Sequence, residues 1–569
     1  MIAEAVPGHR AGRVRRTPSR RPVPSGCARP RSAGCSAAGG KHPAIPVLRK
    51  VGSSAARAGL PGDVAVSLPT GPPARQNRAP PDCRRCHVDT AHCVRAARSR
   101  CPARPRRARA RWRCATRSSW GWRPAPLELD GGMGSQTVDV QWELATDERF
   151  ANVVAAGAET ATPGEGHSVH AEPAGLTPDT EYFYRFRTGS HISPVGRTRT
   201  APAAGSNPAS VRFAMASCAH FEEGWYHAFR HLAADDPDVV LFLGDYMYEK
   251  NSGHSDIVRG YVEFDEVDKL AEYRLRYAQH KTDPDLKAAH AAAPWLPVFD
   301  DHELKNNWWG VNYDQPARKQ PSFQAFWENM PLPRAMKPAN SAIPLYRRFR
   351  WGTLARFHMM DTRQYRWKQA PNNDNTNCTE LRRTDRTLTG AAQEKWLLDG
   401  LAARESTWDF LGQQVFFGQR DGDGKAATCD VSEDAWDGYP ANRRRITQGW
   451  VDRRVPNPVV LTGDVHRHWA CDLRVDFDNH SAPIVGTELI TTSITSRGST
   501  TPPSNLPQNP HVRYIGHQRG YVRATVTPRQ LTAEFMGVSS VLVRDPARSK
   551  LSVVKRFHVK AGRPGLRPG

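Results

Sequence analysis

The sequence predicts a layered α/β domain, preceded by a small all-β unit and a basic N-terminal tract. Three observations predict this. From about residue 209 onward, short β-branched apolar runs alternate with helix-length amphipathic stretches. Between 124 and 200 the apolar residues alternate with polar ones, as in half-buried strands. The formal charge of +23 on the 569 residues is not spread evenly: residues 1–123 hold 27 Lys+Arg and 4 Asp+Glu, and the rest of the chain is balanced.

The tract 1–123 is rich in Arg, Pro, Ala, Gly and Ser and carries seven of the eleven cysteines. Its apolar content is too low to offset chain entropy, so disorder is expected. An Arg-rich, Lys-poor bias is also what a GC-rich gene yields when read from a wrong start or frame, and such an origin is expected for this tract. Cys83, Cys86, His87, His92 and Cys93 are spaced too tightly for a clean zinc knuckle, and no second ligand pair follows. Non-specific polyanion binding through Arg is the remaining alternative for the tract. Arg15-Arg16 and Arg20-Arg21 lack the apolar segment of an export signal. Because the folded part is electrically balanced, no specific nucleic-acid partner is expected.

The β unit spans 124–203. Residues 137–144 alternate as a strand does, and Gly175 to Phe186 resembles a fibronectin-III or immunoglobulin-like corner, in which a Tyr pins a turn before a strand. The linker 201–208 closes the unit. The α/β domain is placed at 209–545, with a basic tail at 546–569. Its strand candidates are 211–216, 239–243, 354–360, 410–416, 459–462 and 488–492. Residues 261–280 and 391–403 are its helical stretches, and 520–526 and 531–535 finish a sheet. No run approaches ~18 apolar residues, so no membrane-spanning helix is expected. Cys218, Cys378, Cys429 and Cys471 permit at most two disulfides in the balanced part.

Chemistry concentrates in four blocks at or just after predicted strand ends. They are Ser217-Cys218-Ala-His220, Gly244-Asp245-Tyr246-Met247-Tyr248, Asp300-Asp301-His302-Glu303 with Asn306-Asn307, and Gly463-Asp464-Val465-His466-Arg467-His468. A Gly after a buried strand lets the chain turn sharply, so the next side chain stands at the sheet's carboxyl edge. Carboxylate, imidazole, thiolate and phenolate are all first-row metal ligands, and a shared Asp can hold two cations ~3.5–4 Å apart. Taken singly, each block has an ordinary structural reading: a turn, a helix N-cap at Asp300-Asp301, a buried apolar Cys. Their joint occurrence in this order points to a metal site.

The order resembles the calcineurin-like metallophosphoesterases. The departures, Ser217-Cys218 in the first block and Gly463-Asp464 in the last, match their alkaline phosphatase D (PhoD) family. So do Asp361-Thr-Arg363-Gln-Tyr365-Arg366, Leu411-Gly-Gln-Gln414 and Thr492-Ser-Ile-Thr-Ser496-Arg-Gly498. The resemblance covers about 124–540 and leaves the tract before 124 outside it. It implies a four-layer αββα sandwich behind a β-sandwich domain, and a phosphoric ester hydrolase acting on mono- or diesters through a metal-activated water. Phospholipase D-like cleavage at the same centre and a non-catalytic polyanion-binding protein are the alternatives.

Carried over, the resemblance has Asp245 bridge the metals, with Tyr248, Cys218 and His466 completing a ferric site. Asp301 stands where relatives place an Asn, and Asp464 where they place a His. These swaps harden the second site and favour Ca²⁺. One iron with one or two calcium ions is implied. Arg363 is expected on the phosphoryl oxygens. His302 is expected either to protonate the leaving oxygen or to orient Asp301. Asn306 and Asn307 are expected to bind phosphate or a cation, or to cap a helix, and His468 to stand behind the ligands. The resemblance also implies an extracellular or cell-envelope location, a monomer, and a small phosphate-ester, phospholipid or teichoic-type substrate.

Overall fold

The computed structural model describes residues 134–370, 378–425 and 428–569, together with the backbone of the two-residue strand Val94–Arg95, which pairs with His170–Ala171. That strand departs from the disorder expected over 1–123; the rest of the tract, with the zinc reading of 83–93, lies outside the described residues.

In the N-terminal unit, β1 (Val138–Ala145), β2 (Val153–Ala161), β3 (Glu181–Thr188), β4 (His191–Ile192) and β5 (Gly196–Arg199) form one five-stranded antiparallel sheet in the order β2-β1-β3-β4, with β5 also on β3. Val140, Ala161, Val169, Ala171 and Phe186 close its small core. Ahead of β3 a Tyr pins the turn, with the Thr177 N–H donating to Tyr182 Oη at 2.9 Å.

Two seven-stranded sheets follow. The first holds β6 (Val211–Ala216), β7 (Val239–Phe242), β8 (Trp295–Pro297), β16 (Gly520–Val526), β17 (Gln530–Val538), β18 (Leu551–Lys560) and β19 (Arg563–Pro568), in the order β8-β7-β6-β16-β17-β18-β19. The second holds β9 (Arg347–Trp351), β10 (Ala355–Met359), β11 (Trp408–Gln413), β12 (Pro458–Thr462), β13 (His468–Leu473), β14 (Gly486–Ile490) and β15 (Val512–Gly516), in the order β9-β10-β11-β12-β14-β13-β15. Strands β6, β7 and β8 run parallel, as do β10, β11, β12 and β14.

The inner faces meet in an apolar core, with Phe213, Met215, Leu241 and Leu243 packed against Phe357, Met359, Phe410 and Leu461. Helices α1 (His227–Ala234), α2 (Leu270–His280), α3 (Pro284–Ala292) and α4 (Lys319–Asn329) cover the outer face of the first sheet through residues such as Phe229, Tyr273, Leu286 and Phe326. Helices α5 (Gly390–Ala402) and α6 (Pro440–Asp452) cover the second through Leu397, Leu401, Ile446 and Trp450. Parallel strands buried on both faces read as continuous apolar runs, which is why β7 and β12 stand out in the sequence.

Two expectations are corrected. The stretch 546–569 is not a tail: β18 pairs with β17, and Phe557, Val559 and Leu566 enter the inter-sheet core. Lys and Arg on the solvent face of β18 mask its alternation. The helix expected over 261–280 begins only at Leu270. Ahead of it Glu263 and Phe264 adopt left-handed φ of 50° and 49°, and the Arg276 guanidinium donates to the carbonyls of Tyr248 (3.1 Å) and Phe264 (2.8 Å). Tertiary bonds from a buried arginine hold this loop beside the site.

Truncating Phe557 to Ala is expected to cost about 3–5 kcal/mol, as for a large aromatic lost from a packed core. Urea unfolding measures it, and an unchanged midpoint would restore the tail reading.

Candidate metal centre

All the parallel strands end at one edge of the sandwich. Ser217-Cys218 follows β6, Gly244-Asp245 lies just past β7, and Asp300-Asp301 lies three residues beyond β8. From the second sheet, Asp361 to Arg363 follows β10 and Gly463-Asp464 follows β12. Ligands of open α/β sheets bind outside such carboxyl ends. The sheets touch here through a parallel bridge between Ser217 and Ser493. The two Gly-Asp turns also pack on one another. A Cβ at Gly463 would lie 2.7 Å from the Leu243 carbonyl oxygen and 2.9 Å from Ser217 Cβ, so the turns can approach this closely only with glycine.

Cys218, Asp245, Asp464 and His466 all adopt left-handed backbone conformations, with φ of 58°, 56°, 61° and 56°. Each costs a non-glycine residue on the order of 1–3 kcal/mol, and such outliers cluster at functional sites. Here the turns aim the four side chains into one volume. The ligand atoms of Cys218, Asp245 and His466 lie within 4.8 Å of one another, as do those of Asp245, Asp301 and His302, and those of Asp300, Asp301 and Asp464. Asp245 therefore belongs to two groups, and so does Asp301. Tyr248 completes the first group, its hydroxyl 3.1 Å from Asp245 Oδ2 and 3.2 Å from His466 Nε2.

The donor chemistry fits cations. His466 Nδ1 lies 2.6 Å from the Arg497 carbonyl oxygen, which accepts only if Nδ1 carries the proton. Its Nε2 is then a free lone pair facing Tyr248 and the cluster, the arrangement of a metal-binding imidazole. Burial and the neighbouring carboxylates push Asp245 well above the usual carboxylate range. Burial and Asp245 do the same to the Cys218 thiol and the Tyr248 phenol. Burial and Asp301, opposed by Arg363, raise Asp464 to about 6. Asp301 is the exception, held below the usual range by Arg363 and His302 in spite of burial; for the other groups, cations between them would reverse these upward shifts.

Arg363 requires a correction. Its side chain has no exposed surface: Nε donates to Asp300 Oδ1 at 2.6 Å, Nη1 to Asp434 Oδ1 at 3.1 Å, and Nη2 lies 3.5 Å from Asp301 and 3.8 Å from Asp464. Arg363 is not presented to a phosphoryl group; it holds the acidic cluster together.

His302 keeps 20% of its side chain exposed, and its ring lies 4.1 Å from that of Tyr248. Nδ1 bonds Glu249 Oε2 at 2.8 Å, so the ring is oriented by Glu249 and does not itself orient Asp301; that contact comes from the His302 backbone N–H, at 2.9 Å. Burial opposes a charge on this ring, but Asp301, Glu249 and Asp245 outweigh it and raise its pKa well above 6.5.

Asn306 and Asn307 are exposed at the edge of the cluster and cap no helix, because the chain continues in turns. Their backbone N–H groups donate to Glu249 (2.9 Å) and Asp301 (2.7 Å). His468 is buried behind the ligands, bonded to the Met536 carbonyl and to the Thr492 N–H.

Sequence reasoning assigned no role to Asp300, Glu249, Asp434 or Ser496. The Asp-Asp pair was the visible signal for Asp300. Ser496 Oγ lies 2.7 Å from Tyr248 Oη and 2.8 Å from the Cys218 carbonyl oxygen. The motif Thr492 to Gly498 contains it but gave it no role, since its partners are more than 240 residues away in sequence. Among the described residues one disulfide forms, Cys378–Cys429, with Cα atoms 5.6 Å apart, and Cys218 and Cys471 are free.

The family model described as PhoD-like phosphatase matches residues 213–535, and that of its N-terminal domain matches 102–202. The chain belongs to the PhoD-like phosphatase family. The second match begins at 102, within the basic tract rather than at its end. Alkaline phosphatase D of Bacillus subtilis (strain 168) is 43% identical over 428 residues, covering 72% of this chain and 73% of that protein. A solved structure of PhoD is 41% identical, with a TM-score of 0.73 over 78% of this chain and 88% of that one. The hydroxyl of Ser496 touches two candidate ligand residues at once, Tyr248 and Cys218. Ser496→Ala is expected to weaken metal retention about 10–100-fold without unfolding the protein. Metal content after dialysis reads this, and full retention would deny Ser496 a part in the centre.

Proposed function

We propose that this phosphoric ester hydrolase holds iron(III) between Cys218, Asp245, Tyr248 and His466, and calcium between Asp245, Asp301 and Asp464, and that it cleaves phosphomonoesters or phosphodiesters there. Metal-dependent phosphoester hydrolysis itself follows from family membership, and the non-catalytic polyanion-binding alternative gives way to it. The observation that carries the finer reading is the unequal donor set around the shared Asp245. One side offers thiol, phenol and imidazole, the other only carboxylates, and soft and hard donors select different cations.

When bound, such cations lower the pKa of coordinated water and take up charge on phosphoryl oxygens. The protein's own groups do the rest. Arg363 and Asp434 hold the carboxylates in place. His302, steadied by Glu249, presents its partly exposed ring at the cluster and hands a proton to the departing oxygen. Asn306 and Asn307 lie at the mouth and offer amides to the phosphate.

The finer structural expectations stand as part of this proposal. The Tyr182 corner supports a fibronectin-III-like N-terminal domain. The disulfide supports an extracellular or cell-envelope location. A monomer acting on a small phosphate ester, a phospholipid or a teichoic-type polymer, with domains at 124–203 and from 209, completes it.

Asp245→Asn is expected to lower kcat by about 10³ or more, since it removes the group shared by both cation sites. Undiminished turnover with the fold intact would overturn the assignment. A phenolate-to-iron charge-transfer band should be lost in Tyr248→Phe, and its absence from metal-replete protein would exclude the ferric site. Assaying a phosphomonoester, a bis-ester and phosphatidylcholine side by side separates phosphatase, diesterase and phospholipase D-like action.

A further inference from the structure

The end of the sandwich opposite the centre is basic. Four turns meet there: 403–407 ahead of β11, 453–457 ahead of β12, 527–529 between β16 and β17, and 561–562 between β18 and β19. They are bonded to one another. Asn457 Nδ2 donates to the Thr407 carbonyl oxygen at 2.7 Å, and Asn457 Oδ1 accepts from the Gly562 N–H at 2.6 Å. Trp408 Nε1 donates to the Thr527 carbonyl oxygen at 2.8 Å, and the Ala561 N–H to that of Arg529 at 2.9 Å. Arg404, Arg454, Arg529, Lys560 and Arg563 stand on or beside these turns, all exposed. Among the described residues, none of the five forms an ion pair with a carboxylate. Lys560 even pairs directly with Arg563 across the β18–β19 hairpin, where like charges repel. The acid on these turns, Glu405, is already bonded to Arg350 and Arg356, and Asp452, at the end of α6, accepts from Gln448 at 2.8 Å.

The chain after residue 123 carries no net charge, so this excess comes from position and not from composition. Acidic residues gather at the carboxyl ends of the parallel strands and these cations at the amino ends. The six-residue strand β6 alone puts about 20 Å between the two. A molecule polarised in this way turns its basic end towards an anionic surface. The cations come from turns of both sheets, which pack ~10 Å apart. They form an array broad in two directions, as a layer of headgroups is and a single polymer strand is not. The four turns hold no aromatic residue that would insert among lipids. We propose that this end is a docking surface for an anionic lipid bilayer, held by attraction to the headgroups without insertion, so that the centre faces away from the lipid. The attraction does not depend on what the centre hydrolyses.

The test mixes the full, metal-replete chain with vesicles of phosphatidylglycerol or of phosphatidylcholine, two phosphodiester lipids that differ in net charge. Phenylglyoxal then modifies accessible arginines, and mass spectrometry reads each one separately, so that binding through the basic tract 1–123 is distinguished from binding through this end. Arg404, Arg454, Arg529 and Arg563 are expected to be protected on phosphatidylglycerol only, while Arg230 on α1, 49% exposed, reacts equally on both. Combining Lys560→Gln with Arg563→Gln should raise the lipid concentration that half-protects Arg454 and Arg529 by about tenfold or more, each cation at such a surface contributing about fivefold. Turnover of a soluble phosphoester should stay at the wild-type level. Arg404→Gln with Arg454→Gln, read at Arg529 and Arg563, repeats the measurement if the first variant does not fold. Protection confined to the tract, or protection that both variants leave unchanged, would overturn the docking surface. Protection by soluble poly(glycerol phosphate) and not by vesicles would overturn it in favour of a polymer.

Discussion

Four aspartates share one small volume with a single guanidinium, and the rest of the structure is arranged around this imbalance. Asp245, Asp300 and Asp301 are buried, Asp464 is partly so, and among the described residues Arg363 is the one arginine whose guanidinium lies within 4 Å of more than one of them. Burial and neighbouring carboxylates push Asp245 and Asp300 well above the usual carboxylate range, whereas Arg363 and His302 hold Asp301 below it. Buried charge on this scale is tolerated only with strong compensation. Cations held among these residues would supply it, and the fold and such a centre would then be one energetic problem.

The backbone contributes by accepting strain. Four candidate ligand residues sit in left-handed conformations, and bare glycines let two turns from different sheets meet. The packed inter-sheet core fixes the strand ends well enough to impose these conformations. Outer contacts then set orientation: Glu249 on His302, the Arg497 carbonyl on His466, Ser496 on Tyr248 and Cys218.

Much of this was legible in the chain. Strands buried on both faces show as apolar runs, so β6, β7, β12 and β16 fell within a residue of where the sequence put them. The ligand blocks were legible because each follows such a strand, with a Gly or a small residue to turn it outward. β18 was missed because cationic residues on its solvent face outweigh a short buried alternation, and the helix start at Leu270 was missed because Arg276 captures the preceding carbonyls.

The sequence by itself determined which strands exist, which residues follow them, and the donor types they bring, since period and turn chemistry are local properties. Only the tertiary structure decided that Arg363 is buried among carboxylates and not open to substrate, that His302 answers to Glu249, and that Ser496 reaches Tyr248. Those outcomes depend on how two sheets converge at one edge, and contacts across more than 50 residues leave no periodic trace in the chain.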